Sequence, residues 1–186
     1  MPNDISLIAF NGKSPRIHSS AFIAPGCRII GNVEIGPDAS IWYNCVLRAD
    51  VHRIVVGARS NIQDGTVVHC DSPKPKRPEG FPTIIGDDVL IGHMAMIHGS
   101  VLEDRAFVGL GAIVMDGCRI ESDAMLAAGA MLTQGKVVKS RQMWLGRPAA
   151  YARDLNDAAL EDMRAGVAGY VINGKIHDAA LAGAGS

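Results

Sequence analysis

Aromatic residues make up only 5% of this 186-residue chain, and its net charge is −1 at neutral pH. So small a charge gives no electrostatic reason to expect nucleic acid or an anionic membrane as partner. Long apolar runs are missing, so no transmembrane span is expected. The start, Met1-Pro2-Asn3-Asp4, lacks a basic segment followed by an apolar one, which argues against a signal peptide. Cys27, Cys45, Cys70 and Cys118 lie far apart and form no Cys-x-x-Cys pair. They read as reduced, mostly buried thiols of a cytoplasmic protein. The length suits one domain, or one domain with a short appendage.

What the chain has instead is a period of six. With Ala21 as position one, the third positions are Ile23, Ile29, Ile35, Ile41 and Leu47. Three extra residues, Val51-His52-Arg53, intervene, and the series resumes as Val56, Ile62 and Val68. An insertion from Ser72 to Pro82 precedes Ile85, Ile91 and Ile97. After one missing residue come Leu102, Val108, Val114, Ile120, Leu126 and Leu132. First positions are small or slim, Cys27, Cys45 and Cys118 among them. A helix repeats every 3.6 residues and a plain strand every two, so neither gives this pattern. Six residues with one deep aliphatic and one small inward residue fit a side of a triangular solenoid. Glycines at or near the corners (Gly26, Gly36, Gly57, Gly86, Gly92, Gly111, Gly129) allow tight turns. The pattern resembles the hexapeptide-repeat family, and the resemblance implies an all-β solenoid, a left-handed parallel β-helix.

Residues 1–148 are thus expected to form the β-helix, with Arg147-Pro148 closing its last coil. Residues 149–178 are expected to hold a C-terminal helix packed on the outside, and 179–186 a flexible tail rich in Gly and Ala. Asn156 is the expected N-cap of that helix, which should run to about Ile172. Leu160, Met163, Val167 and Val171 form its apolar stripe.

Counting in sixes also places the chemistry. His69 and His98 both fall on fourth positions one coil apart, and strands about 4.8 Å apart suit two ligands of one metal. Arg48 lies one coil below His69, and His93 sits at another corner above Asp64. One side spans about 18 Å of extended chain, too far for His93 to join the pair within a chain. If all three bind one metal, the third comes from a neighbouring subunit, and a three-fold ring closes such a contact. Three imidazoles with one open position describe a catalytic zinc-type site, which lowers the pKa of bound water to about 7.

Arg48-Ala49-Asp50, Ser60-Asn61-Ile62-Gln63-Asp64-Gly65, His69 and the run from Gly92-His93 to Ile97-His98-Gly99 resemble the γ-class carbonic anhydrases. The similarity covers about Ala21 to Tyr170. It implies a metal-dependent lyase interconverting CO2 and bicarbonate in a homotrimer. It implies Zn2+, with Fe2+ or Co2+ as alternatives, on His69, His93 and His98 between subunits. Arg48 would then contribute to bicarbonate binding and to the interface, where Asp50 and Asp64 hold it in place. Gln63 would bond the metal-bound water with Asn61 behind it, and Tyr170 would lie near the site. An arginine fork does suit planar bicarbonate, and a buried arginine needs carboxylate partners.

The sequence departs from that family in two places. Val51 stands where a glutamate follows the Arg-x-Asp motif, and the loop from Ser72 to Pro82 is more basic than acidic. In the best-known members that loop is acidic and carries a proton-shuttling glutamate, which this chain lacks. His52 is the candidate replacement, with Glu79 behind it. Cys70 beside His69 reads as core or surface, and His18 and His177, outside the repeat, as solvated. Two other functions fit the same fold: a hexapeptide acyltransferase using one histidine as base, and a catalytically weak metal-binding or assembly module.

Overall fold

The computed structural model describes residues 4–183. Its strands are short, mostly two or three residues per side, and they stack in parallel into a β-solenoid. The third-position residues meet one another up each face. Ile29, Leu47, Val68, Ile97, Val114 and Leu132 form one inner column. Ile35, Val56, Ile85, Leu102, Ile120 and Val138 form the second. Ile23, Ile41, Ile62, Ile91, Val108 and Leu126 form the third. Apart from Ile23, each is at most 2% exposed. Burying one such side chain contributes roughly 1.5–3 kcal/mol, which is how a chain poor in aromatics holds a core. The repeat runs two sides further than its aliphatic pattern, through Val138 and then Trp144, which pairs with Leu126.

The three outer faces differ. One carries ion pairs between neighbouring coils, Arg119–Glu103 at 2.6 Å and Lys139–Glu121 at 2.8 Å, and belongs to solvent. The second is covered by the C-terminal helix, Asp157–Gly183. Leu160 and Met163 of that helix pack with Phe107, Met125 and Met143. The third face presents Met96 and Met115 outward, 40% and 39% exposed, and nothing among the described residues covers them.

Glycine has a different role at the corners from the one expected. Gly26, Gly111 and Gly129 do adopt positive φ. On another corner the left-handed residues are Asp38, Arg59, Asp88, Arg105 and Asp123. These form a ladder in which Arg59 grips Asp88 and Arg105 grips Asp123, each through two hydrogen bonds. Gly57 is needed for close approach instead: a Cβ there would overlap the carbonyl of Gly86.

The boundaries near the C-terminus also move. Ala150–Asp154 is a strand antiparallel to Gln142–Leu145, so it belongs to the solenoid and not to the helical segment. Asn156 caps the helix as expected, its Oδ1 accepting from Ala159 N at 2.9 Å. The helix does not end near Ile172. Gly174 lies against Phe22 and Ser40, and Leu181 joins the cluster of Phe22 and Trp42, so packing carries it to Gly183. Residues 179–183 of the expected flexible tail are helical, and 184–186 lie outside the described residues. Among the described residues no helix is long and apolar enough to cross a membrane.

Candidate metal centre

The third face has a chemical cluster at each edge. At one edge, strand pairing sets Arg48 beside His69 and His69 beside His98, in the register that counting gives. His69 Nδ1 and His98 Nε2 face each other at 2.9 Å. The outer nitrogens are held by carboxylates: His69 Nε2 lies 3.0 Å from Asp50 Oδ1, and His98 Nδ1 lies 2.5 Å from Asp116 Oδ1. Asp50 also accepts from Arg48 Nη1 at 2.5 Å. Burial opposes the charge of Asp50, but the bonds from His69 and Arg48 outweigh it and hold the carboxyl below the usual range.

These partners assign the tautomers. A carboxylate accepts, so each outer nitrogen carries the N–H, and in a neutral ring the inner nitrogen keeps its lone pair. The two inner nitrogens face one point between the rings. A shared proton joins the two nitrogens as a hydrogen bond, and a cation replacing that proton would meet both, because imidazoles with carboxylates behind them are the donor set of a metal-binding histidine pair. The residues present fit a divalent metal.

At the other edge, His93 Nδ1 is 2.8 Å from Asp64 Oδ2, which leaves Nε2 open. Tyr170 of the helix places its hydroxyl 3.4 Å from that nitrogen. Burial, and next the negative charge of Asp64, push the Tyr170 phenol up. Gln63, 4% exposed, donates from Nε2 to Asn61 Oδ1 at 3.0 Å. One Asn61 amide nitrogen is buried with no partner among the described residues. Asp64 therefore meets His93, not Arg48, within one chain. The two edges are five residues apart along the chain at His93 and His98, on the order of 15 Å. Among the described residues of a single chain, no group of three His, Cys, Asp or Glu side chains is placed to hold a metal.

Asp116 escaped the sequence reading. Its signal was Gly99, at φ 49, because a Cβ there would overlap the Asp116 carboxylate on its way to His98. His52 is placed differently from a free proton carrier. Its Nε2 bonds Glu79 O at 2.8 Å and its Nδ1 accepts from Arg53 N at 2.9 Å, so it pins the 72–82 loop to the three-residue insertion. That loop folds on itself, with Lys74 and Arg77 both on Asp71 at 2.8 Å and Arg77 over the Phe81 ring at 3.9 Å. Glu79 is exposed. Cys70 is fully buried, and burial pushes its thiol up to about 11. His18 bonds Ser20. His177 is not free in solvent but packs among Phe22, Trp42 and Tyr43.

The bacterial transferase hexapeptide (six repeats) family matches residues 14–49, and the hexapeptide repeat of succinyl-transferase matches 82–104 and 100–134. Gamma carbonic anhydrase 2, mitochondrial, of Arabidopsis thaliana is 43% identical over 165 residues. That match covers 89% of this chain but only 59% of the Arabidopsis protein. The carbonic anhydrase of Geobacillus kaustophilus is 37% identical over 170 residues, covering 91% of this chain and 90% of that protein. Among solved structures, a hexapeptide transferase family protein from Anaplasma phagocytophilum is similar with a TM-score of 0.85 at 44% identity. It covers 91% of this chain and 96% of its own.

Proposed function

The chain belongs to the γ-class carbonic anhydrase-like family of hexapeptide-repeat proteins, and from that premise we propose that it interconverts CO2 and bicarbonate at metal centres between the subunits of a homotrimer. One observation carries the reading. Each of three histidines has one ring nitrogen tied to a carboxylate, His69 to Asp50, His93 to Asp64 and His98 to Asp116. The other nitrogen of each is thereby left as a ligand. A structural role would not require that arrangement three times.

His69 and His98 of one subunit would hold the metal together with His93 of the partner subunit. A zinc ion, or iron or cobalt in its place, supplies Lewis acidity that makes water a nucleophile at neutral pH. Gln63, its amide nitrogen engaged by Asn61, would offer its carbonyl oxygen to the attacking water and orient it without adding charge. Arg48 is fixed by Asp50 through one nitrogen and has further donors free for the planar anion. Tyr170 adds a hydroxyl on the remaining side. Met96 and Met115, with Met94 and Leu110 at 71% and 55% exposure on the same side, supply apolar surface for the subunit contact. Four free, buried thiols fit a reducing compartment such as the cytoplasm.

Acyl transfer is the competing reading, favoured by the family names of the matching repeats and of the Anaplasma structure. It needs a single base and gives no reason for three histidine–carboxylate pairs. Metal analysis of the purified trimer with a CO2 hydration assay separates the two. One metal per chain with hydration supports the lyase; a metal-free protein active on thioesters refutes it.

A further inference from the structure

Hydration of CO2 makes bicarbonate and one proton, and the proton has to leave before the next turnover. Of the six histidines, His69, His93 and His98 are committed to the metal, both nitrogens of His52 are bonded, and His18 is held by Ser20. Like His18, His177 is held through Nδ1, but it differs in its place, on the C-terminal helix and packed against Tyr43 and Trp42. Its Nδ1 lies 2.9 Å from the Tyr43 hydroxyl, and its Nε2 has no partner among the described residues. The ring stands edge-on to Trp42, with centroids 4.9 Å apart.

Its place in the fold connects it to the metal centre. Ile41, Ile62 and Ile91 pair in successive coils, so Tyr43, Asp64 and His93, each two residues further on, share one corner. Tyr43 is therefore two coils below His93, about 9.6 Å. On the helix, Tyr170 and His177 are seven residues apart, two turns or about 10.5 Å. Tyr170 touches His93, and both Tyr170 and His177 lean on Trp42. The two spacings agree, so helix and corner descend together from the metal centre to His177.

Building on the carbonic anhydrase reading, we propose that His177, held by Tyr43, carries the proton of hydration from the metal centre to solvent. With Nδ1–H donated to the Tyr43 oxygen, Nε2 keeps its lone pair. The proton passes through water along the Tyr43–Asp64–His93 corner and adds to Nε2. The same N–H is then given to a buffer base, which restores the starting ring, and the bond to Tyr43 is kept throughout. The charged groups around this route are Asp64 on the corner, Asp178 next in sequence, and Lys175, which is 3.3 Å from Asp38.

The experiment compares the metal-loaded wild-type trimer with His177→Gln and Tyr43→Phe at low buffer and with added imidazole. His177→Gln should turn over about tenfold or more slowly at low buffer, and imidazole should restore it. Tyr43→Phe, which loses the hydroxyl but keeps the ring packing, should show a smaller loss of the same kind. Nitrogen NMR of the metal-free trimer should see proton uptake at His177 Nε2 within the working pH range. Unchanged low-buffer turnover in His177→Gln, a loss that imidazole does not repair, or a ring that never takes up a proton overturns the carrier. A metal-loaded wild type with no hydration at all overturns the catalytic reading itself, and the carrier with it.

Discussion

In the proposed centre, Asp116 would matter without touching the metal. It holds His98 Nδ1 at 2.5 Å, as Asp50 holds His69, and so directs a lone pair inward. Asp116→Asn keeps the size but removes the charge and allows the amide to turn a donor towards the ring. Its metal affinity should fall about 10- to 100-fold with the trimer intact, measured by competition with a chelator; wild-type affinity would make the carboxylate irrelevant to binding. Gly99→Ala should do similar damage indirectly, because a Cβ would overlap the same carboxylate. His69 and His98 were legible from spacing alone, since parallel register copies sequence position into space. Asp116 was not, because it reaches His98 across positions from the neighbouring coil. His52 misled for a related reason. The insertion does open outward there, but sequence does not reveal that two backbone groups occupy both ring nitrogens.

At the scale of elements, the period of six was readable because each side must bury one aliphatic, and the columns of paired third positions follow from that. The charged corner was hidden, since Asp38, Arg59, Asp88, Arg105 and Asp123 look like ordinary surface residues until their left-handed φ brings them into one stack. The Arg105 guanidinium beside Asp123 holds that carboxyl below the usual range. A depressed pKa adds stability that is present above the unfolded carboxyl's value and is lost as pH falls through the folded one. Asp123→Asn should therefore cost on the order of 1 kcal/mol at neutral pH, and the difference from wild type should vanish in acid. Equal denaturant midpoints at pH 7 would rule the ladder out as a stabiliser. The helix beyond Ile172 was missed because the residues that dock it are Gly174, His177 and Leu181, which do not read as an apolar stripe. Deleting residues 173–186 exposes Phe22 and Trp42. The thermal midpoint should fall by several degrees, as expected for losing a few kcal/mol of buried apolar surface; no change would mean the extension is only draped on the coil.

At the scale of the molecule, the proposed centre is split into two halves on opposite edges of one face, His69 and His98 at one and His93 at the other. A head-to-tail contact joins unlike edges, and three copies close it into a ring without leaving an edge free. That geometry predicts complementation between defective chains. His69→Ala lacks one edge and His93→Ala lacks the other, so each alone should bind little metal. In trimers refolded from an equal mixture, a centre is whole wherever the intact pair of a His93→Ala chain meets the intact His93 of a His69→Ala chain. Random assembly gives that pairing at roughly a quarter of the interfaces, so about a quarter of the wild-type metal content and hydration rate should return. A site built within one chain could never be rescued, because every chain in the mixture would still lack a ligand. Recovery near a quarter would thus fix which residues come from which subunit, and no recovery from mixed trimers confirmed by mass spectrometry would refute the shared centre.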